Sequence, residues 1–178
     1  MAQPVRMAMP VAGLSPIPLD EANSWLARWG HDLGDCDRPF GVIAWALEVD
    51  ARPVAVAISA STVSATVPTP WRTYRRGELV ELARICSDPA ERWATRPMLR
   101  LWREVDAARW PHWAVHALVA YSHGRRRGDL YRWDGWTLVN DRAGTSGGGG
   151  QWSTRRVTGD PVLGRKRCWV YPYPRKKD

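Results

Sequence analysis

The sequence predicts one α/β domain on a mixed central sheet flanked by helices, and three observations predict it. The block from Glu78 to Tyr121 reads as strand, turn, helix and strand, the order that carries a helix across two neighbouring strands. Upstream, Phe40 to Val49 and Pro53 to Ala60 read as an antiparallel hairpin about Asp50, Ala51 and Arg52, so the sheet mixes orientations. The chain has 178 residues and no internal repeat, and the glycine run Gly147 to Gly150 is too short to separate domains.

Taken in order, residues 1–13 read as a flexible lead rich in Met, Pro and Ala. Leu14 to Leu19 carries Pro16 and Pro18 and fits only an edge strand. Asp20 is the expected N-cap of a first helix, whose inner face is Ala22, Trp25, Leu26 and Trp29. Gly30 to Pro39 is a polar loop, and the hairpin follows. Ser61 to Pro70, rich in Ser, Thr and Pro, is expected to be a mobile connection. Trp71 and Tyr74 then stand among Arg72, Arg75 and Arg76. The run Glu78 to Cys86 is apolar except for Glu81 and Arg84, which lie three apart and so face opposite sides of a regular strand. Ser87, Asp88 and Pro89 stop it. Met98, Leu101, Trp102 and Val105 recur at helical spacing, which predicts a helix over 92–109. Ala114 to Tyr121 is a second strand, and a polar loop closes on Tyr131, Gly135 and Trp136. Short strands over Thr137 to Val139 and Arg167 to Tyr171 complete the domain, expected to span residues 14–173. Residues 174–178 form a basic tail.

The formal charge is +8, and it is unevenly placed: residues 1–120 hold 13 basic and 13 acidic side chains, residues 121–178 hold 13 and 5. Arginine supplies 23 of the 26 basic residues, and its planar fork suits phosphate, so the basic C-terminal extension points to nucleic acid. Twelve Trp against one Phe implies aromatic surface as well as core. No apolar run is long enough to span a membrane, and the first residues lack the apolar stretch of a secretory signal. Cys36, Cys86 and Cys168 are odd in number and widely spaced, which suits neither a disulfide framework nor a zinc site. The expectation is a reduced protein of a bacterial cytoplasm, with Cys86 and Cys168 in the core.

The order strand, helix, hairpin, strand, helix, strand, then Tyr131 with Gly135 and Trp136, resembles the GCN5-related N-acetyltransferases. That resemblance implies a central strand over Glu78 to Cys86 splayed from its neighbour. An acyl donor's pantetheine arm would lie in the opening, and its pyrophosphate on the start of the helix over Arg92 to Arg109. Local patterns are also similar to phage Mom-like DNA modification proteins, over residues 14–173. They include Pro18 to Asn23, Gly30-His31-Asp32-Leu33-Gly34, Glu81 to Cys86, Arg92 to Thr95, Ala120 to His123, Leu130 to Trp136, Gly149 to Ser153 and Arg165 to Pro172. This chain departs from both patterns. The glycine-rich pyrophosphate loop of acetyltransferases is missing, Asp32 replaces a Tyr, His123 an Asp, and Trp93 an Asn.

These resemblances assign roles. Tyr131 is placed to protonate a leaving thiolate, a role its phenol suits; the alternative is a helix Tyr packed on Trp136. His31, in a polar loop, and His123, after Tyr121 and Ser122 at a strand end, are candidate bases. Glu81, Leu82, Ala83, Arg84, Ile85 and Cys86, with Arg92, Ala94 and Thr95, would hold acetyl-coenzyme A or another acyl donor. Arg125, Arg126, Arg127, Trp152, Arg155, Arg156, Arg165, Lys166 and Arg167 would hold DNA, arginine for phosphates and aromatics for an unstacked base. No metal site is expected: His112 and His116 share a face only on a helix, and His116 falls in a strand.

The function expected from the resemblance is a phage or prophage DNA-modification acyltransferase acting on a base amine, adenine N6 foremost, to protect DNA from restriction. Its rivals are an N-acetyltransferase for a small amine or a protein N-terminus, and a non-catalytic nucleic-acid-binding protein on a degenerate scaffold.

Overall fold

The computed structural model describes residues 11–123, 126–143 and 166–173. Arg125, Trp152, Arg155, Arg156 and Arg165 of the expected DNA surface lie outside the described residues, as do the glycine run and the basic tail.

Strand β1 (Ala12–Ile17) is an edge strand, and Pro16 is tolerated because only one of its sides pairs. Ala12 and Gly13 pair with Val49 and Glu48, so the sheet begins inside the expected flexible lead. Helix α1 (Leu19–Arg28) starts directly after Pro18. The expected cap, Asp20, therefore lies within the first turn, where its charge still faces the positive end of the helix dipole. Strands β2 (Ile43–Val49) and β3 (Arg52–Ala60) form the expected hairpin. Its two turn residues, Asp50 and Ala51, sit at φ 50° and 61°, the turn geometry that matches strand twist.

The connection expected to be mobile is structured. Strand β4 (Thr66–Pro68) pairs with β5 (Thr73–Arg75), and Thr69 closes the turn by exchanging hydrogen bonds with the backbone of Arg72. Val67 and Tyr74 are buried against the main sheet, which fixes a segment whose composition alone reads as loop.

Strand β6 (Leu79–Ser87) is central, and β7 (Ala117–Ser122) runs parallel to it. Between them lies a helical segment. A 3₁₀ turn at Arg92–Ala94 leads into α2 (Thr95–Leu101), a π turn at Trp102–Asp106 and a 3₁₀ turn at Ala107–Arg109. The buried face is Ala94, Met98, Leu99 and Trp102, and across the wider π turn it continues at Asp106. Leu101 and Val105, expected on that face, are only half-buried. A short helix α3 (Asp129–Trp133), β8 (Thr137–Ala143) and β9 (Lys166–Pro172) complete the domain. Seven strands form one sheet in the order β1-β2-β3-β6-β7-β9-β8, antiparallel except at β6/β7. This is the mixed sheet that the acetyltransferase resemblance implies.

Alternation divides the core between the two faces of the sheet. Val80 and Leu82 of β6 and Leu118 and Ala120 of β7 pack with Met98, Leu99, Trp102, Tyr131 and Trp169 on the α2 face. Val56 and Ile58 of β3 and Ala83 of β6 pack with Ala22, Leu26 and Trp29 on the α1 face. Leu79, Val119 and Val170 continue that face. Trp102 and Trp169 are fully buried, whereas Trp71, Trp93 and Trp133 are exposed, so tryptophan serves both core and surface. Among the described residues no helix is long and apolar enough to cross a membrane.

Candidate active site

The site begins with a break in the sheet. Strand β6 pairs with β7 from Leu79/Ala117 to Leu82/Ala120 and no further. Beyond that point β6 continues against β3 as far as Ser87, and β7 continues against β9 as far as Ser122. The two strands therefore diverge, and a cleft of about 810 Å³ opens between them. Its position, at the carboxyl ends of parallel strands, is where open α/β sheets place ligands.

The divergence coincides with a β-bulge. Leu82 pairs with Ser59 and Arg84 with Ile58, so Ala83 is an extra residue on β6. The bulge shifts the alternation, and this corrects the expectation that Glu81 and Arg84 face opposite sides. Both point to the loop after α1. Glu81 takes a 2.6 Å ion pair from Arg38, and Arg84 donates to the carbonyls of Gly34, Asp35 and Ala83. Burial pushes the Glu81 carboxyl up, while Arg38 and Arg84 pull it back.

The expected catalytic residues all line the cleft, but on different faces of the sheet. Tyr131 and Ser122 belong to the α2 face. The Tyr131 ring packs 5.4 Å from Trp136 and 5.9 Å from Trp169, and burial, with Glu81 second, pushes its phenol well above the usual range. Gly128, at φ 78°, precedes the helix that carries Tyr131. A Cβ there would lie 2.5 Å from the Trp169 ring, so only glycine lets Trp169 close over this turn. Trp169 in turn donates to Ser122 Oγ at 2.9 Å, which makes Ser122 a brace for the wall. Asp134, buried behind α3, accepts from Arg100 at 3.1 Å and Arg103 at 2.6 Å and ties α3 to the α2 segment.

His31, Tyr121 and His123 belong to the α1 face. Gly30 and Gly34, at φ 67° and 59°, turn the loop so that His31 lines the cleft. Its Nδ1 accepts the backbone N–H of Leu33 at 3.2 Å. Desolvation and the neighbouring Arg84 lower its pKa to about 4. Asp32 and Arg126 form a 3.0 Å ion pair that joins this loop to the segment after β7, and Arg126 holds the Asp32 carboxyl below its usual range. Tyr121 shares a hydrogen bond with the Cys168 thiol, and burial pushes that thiol up to about 12. Cys86 is half-buried, packing against the α1-face core while also lining the cleft, and desolvation raises its thiol pKa.

The expected donor-binding residues Leu82, Ala83, Arg84, Ile85, Cys86, Arg92 and Thr95 line the same cleft; Glu81 and Ala94 lie buried behind it. At the start of the helical segment three backbone N–H groups are already engaged. The N–H groups of Ala90, Glu91 and Ala94 are taken by Asp88 Oδ1, the Asp88 carbonyl and the Glu91 carbonyl. The Asp88 and Glu91 carboxylates there are paired with Arg52. Of the expected DNA-binding residues that are described, Arg126 and Arg127 are exposed on the cleft rim, whereas Lys166 and Arg167 are half-buried in β9. Arg167 donates to the Arg126 carbonyl. His112 packs with Phe40, Trp110 and Trp113, and His116 stands beside Glu78; neither lines the cleft. Among the described residues no three His, Cys, Asp or Glu side chains are grouped to share a metal ion.

Sequence reasoning missed Arg38, Gly128 and Asp134. Arg38 and Asp134 act across long separations that no local pattern records. A glycine followed by an aspartate, just ahead of an apolar turn, is the one local hint of Gly128.

No protein-family model matches the chain, and no curated protein sequence matches it. Solved structures do. A probable acetyltransferase of the GNAT family from Chromobacterium violaceum aligns with a TM-score of 0.58 at 10% identity, over 90% of this chain and 87% of that one. The ribosomal-protein-S18-alanine N-acetyltransferase from Escherichia coli aligns with a TM-score of 0.55 at 11% identity, over 90% and 91%. The Campylobacter jejuni N-acetyltransferase PseH, solved in complex with acetyl coenzyme A, aligns with a TM-score of 0.52 at 9% identity, over 92% and 100%. At such identities the likeness is one of fold.

Proposed function

We propose that this chain, which has the fold of the GCN5-related N-acetyltransferases, is an N-acyltransferase that moves an acyl group from a thioester to an amine. The observation that carries this reading is the division of the cleft. The acid candidate stands on the α2 face, the base candidates stand on the α1 face, and the gap between β6 and β7 connects them. Direct transfer through a tetrahedral intermediate suits that geometry, because one group can take the proton the amine sheds while another protonates the departing thiolate.

A thioester donor fits the opening in part. The residues of β6 beyond Leu82 have no strand partner on the β7 side, so their backbone can receive the amides of a pantetheine arm. The phosphate end does not find the usual backbone cradle, and there the side chains of Arg92 and Thr95 are the groups on offer. When bound, the thioester supplies an activated acyl carbon and a thiolate leaving group. The phenol of Tyr131, kept protonated by burial, gives its proton to the thiolate as the carbon–sulfur bond breaks. An imidazole on the α1 face, His31 or His123, takes the proton that the amine sheds as the carbon–nitrogen bond forms. Ser122, Trp169 and Gly128 hold the wall that carries Tyr131.

The acceptor best supported is a small amine or a protein N-terminus; the ribosomal-protein-S18-alanine N-acetyltransferase, which has the same fold, speaks for the protein acceptor. A base amine in DNA is the second reading. It is favoured by Arg126 and Arg127, exposed on the rim from which the amine would enter.

The test has two arms. Titration with acetyl-coenzyme A, followed by thiol release with a panel of amines and N-terminal peptides, should give binding and turnover that Tyr131→Phe loses in turnover only. Nucleosides from DNA of cells expressing the protein, analysed by mass spectrometry beside the same variant, should be unmodified. A new nucleoside dependent on Tyr131 would replace the first acceptor with the second. Absence of thioester binding would sink both.

A further inference from the structure

We infer that His31 works as a hydrogen-bond donor through Nε2–H on the amine side of the cleft, that it is not the base there, and that the base is therefore His123. The inference deepens the proposed function and rests on it for the identity of the reaction.

A neutral imidazole has one nitrogen that accepts and one that donates. In His31 the accepting nitrogen is Nδ1, engaged by the Leu33 N–H at 3.2 Å. The proton then resides on Nε2, and no lone pair is left to take one from an amine.

The loop holds this arrangement in place. The His31 N–H donates to the Leu26 carbonyl at 2.9 Å, and the Gly34 N–H donates to the His31 carbonyl at 2.9 Å. The Asn23 side chain bonds the backbone of Cys36 in both directions, and Arg84 draws in the carbonyls of Gly34 and Asp35. A ring flip that freed Nδ1 would leave the Leu33 N–H without its acceptor.

The charged surroundings agree. Arg84 on β6, His123 at the end of β7 and Arg126 beyond it all disfavour a cation on His31, and Asp32 alone favours one. Asp32 spends its charge on Arg126. The ring thus stays neutral through the physiological range, with its pKa lowered to about 4.

A neutral N–H at this place suits the oxygen that gains negative charge when an amine attacks a thioester carbonyl. A fixed donor aimed at such an oxygen lowers the barrier without having to reorganise. The proton shed by the amine goes to the other imidazole on this face, His123, which lines the same cleft.

The test reads the tautomer directly. Long-range ¹H–¹⁵N correlation spectra of the wild-type protein with ¹⁵N-labelled histidine, from pH 5 to 8, should show His31 as the neutral Nε2–H form throughout. An Nδ1–H form, or an imidazolium at pH 7, overturns the inference whether or not the protein turns over any substrate. Acyl-transfer kinetics supply the second arm. His31→Gln, which keeps an N–H near the Nε2 position, should lie within about 10-fold of wild type, and His31→Ala should lose about 100-fold in kcat. Both should retain the acid limb of the pH profile, and His123→Ala should abolish it. Loss of that limb in His31→Ala would make His31 the base. A protein with the expected tautomer and no acyl transfer would leave the donor geometry standing and sink the proposed reaction, and the base assignment with it.

Discussion

The two faces of the sheet at the β6/β7 opening are built from different materials. On the α2 face the wall is rings and hydroxyls: Tyr131 against Trp136 and Trp169, Trp169 on Ser122, and Gly128 leaving room for the stack. On the α1 face the wall is polar and charged: Arg84 on three carbonyls, Asp32 with Arg126, and two imidazoles, with the Glu81–Arg38 pair buried behind it. The difference teaches where each half-reaction belongs. An apolar wall keeps a phenol protonated and so preserves a proton donor, whereas a polar wall can receive an amine, hold it and take its proton.

Substitutions should break the two faces in different ways. The largest effect is expected at Tyr131. Tyr131→Phe keeps the packing against Trp136 and Trp169 and removes the proton, so kcat should fall by about 100-fold or more, with thioester affinity and melting temperature unchanged. Arg38→Ala comes next, on the other face. It strands the buried Glu81 carboxylate and should cost about 3 kcal/mol in denaturant unfolding at pH 7. Burial already raises the folded pKa of Glu81, and losing Arg38 raises it further. The folded state then binds the proton more tightly than the unfolded chain, so the deficit should shrink as pH falls through that raised pKa.

Gly128→Ala tests the ring wall. A methyl group forced against the Trp169 ring at a positive φ should cost about 2–3 kcal/mol and lower kcat by shifting Tyr131, a loss readable by calorimetry beside kinetics. Acidification should act on the α1 face through His31. The folded pKa of His31, about 4, lies below the unfolded 6.5, so the unfolded chain binds the extra proton between those values. The His31 contribution is absent above pH 6.5 and grows as a destabilisation as pH falls to 4 and below, about 3 kcal/mol at full span. His31→Gln should flatten that slope. The smallest effect is expected from Asp32→Asn, because its pair with Arg126 is largely exposed: under about 1 kcal/mol, and less at high salt.

By itself the sequence determined the strands and their kind. The apolar run ending at Cys86, the hairpin about Asp50 and Ala51, and the edge strand with Pro16 are local patterns, set by alternation and turn chemistry between residues near in the chain. The same local logic brought His31 and His123 forward, because polar side chains at strand ends and glycine-bounded loops stand out against apolar runs, whereas Tyr131 came forward through the family resemblance.

Only the tertiary structure decided which face each of them serves. The bulge at Ala83 reverses the side on which Arg84 emerges, the stripe of α2 settles on Met98, Leu99 and Trp102 and passes through the π turn to Asp106 rather than Val105, and the small sheet of β4 and β5 forms because Val67 and Tyr74 find a core to cover. Each is a one-residue or one-turn adjustment whose local preference is weak. The energy that selects it comes from partners far along the chain, Arg38 on Glu81, Trp169 over Gly128 and Asp134 on Arg103, which no local window contains.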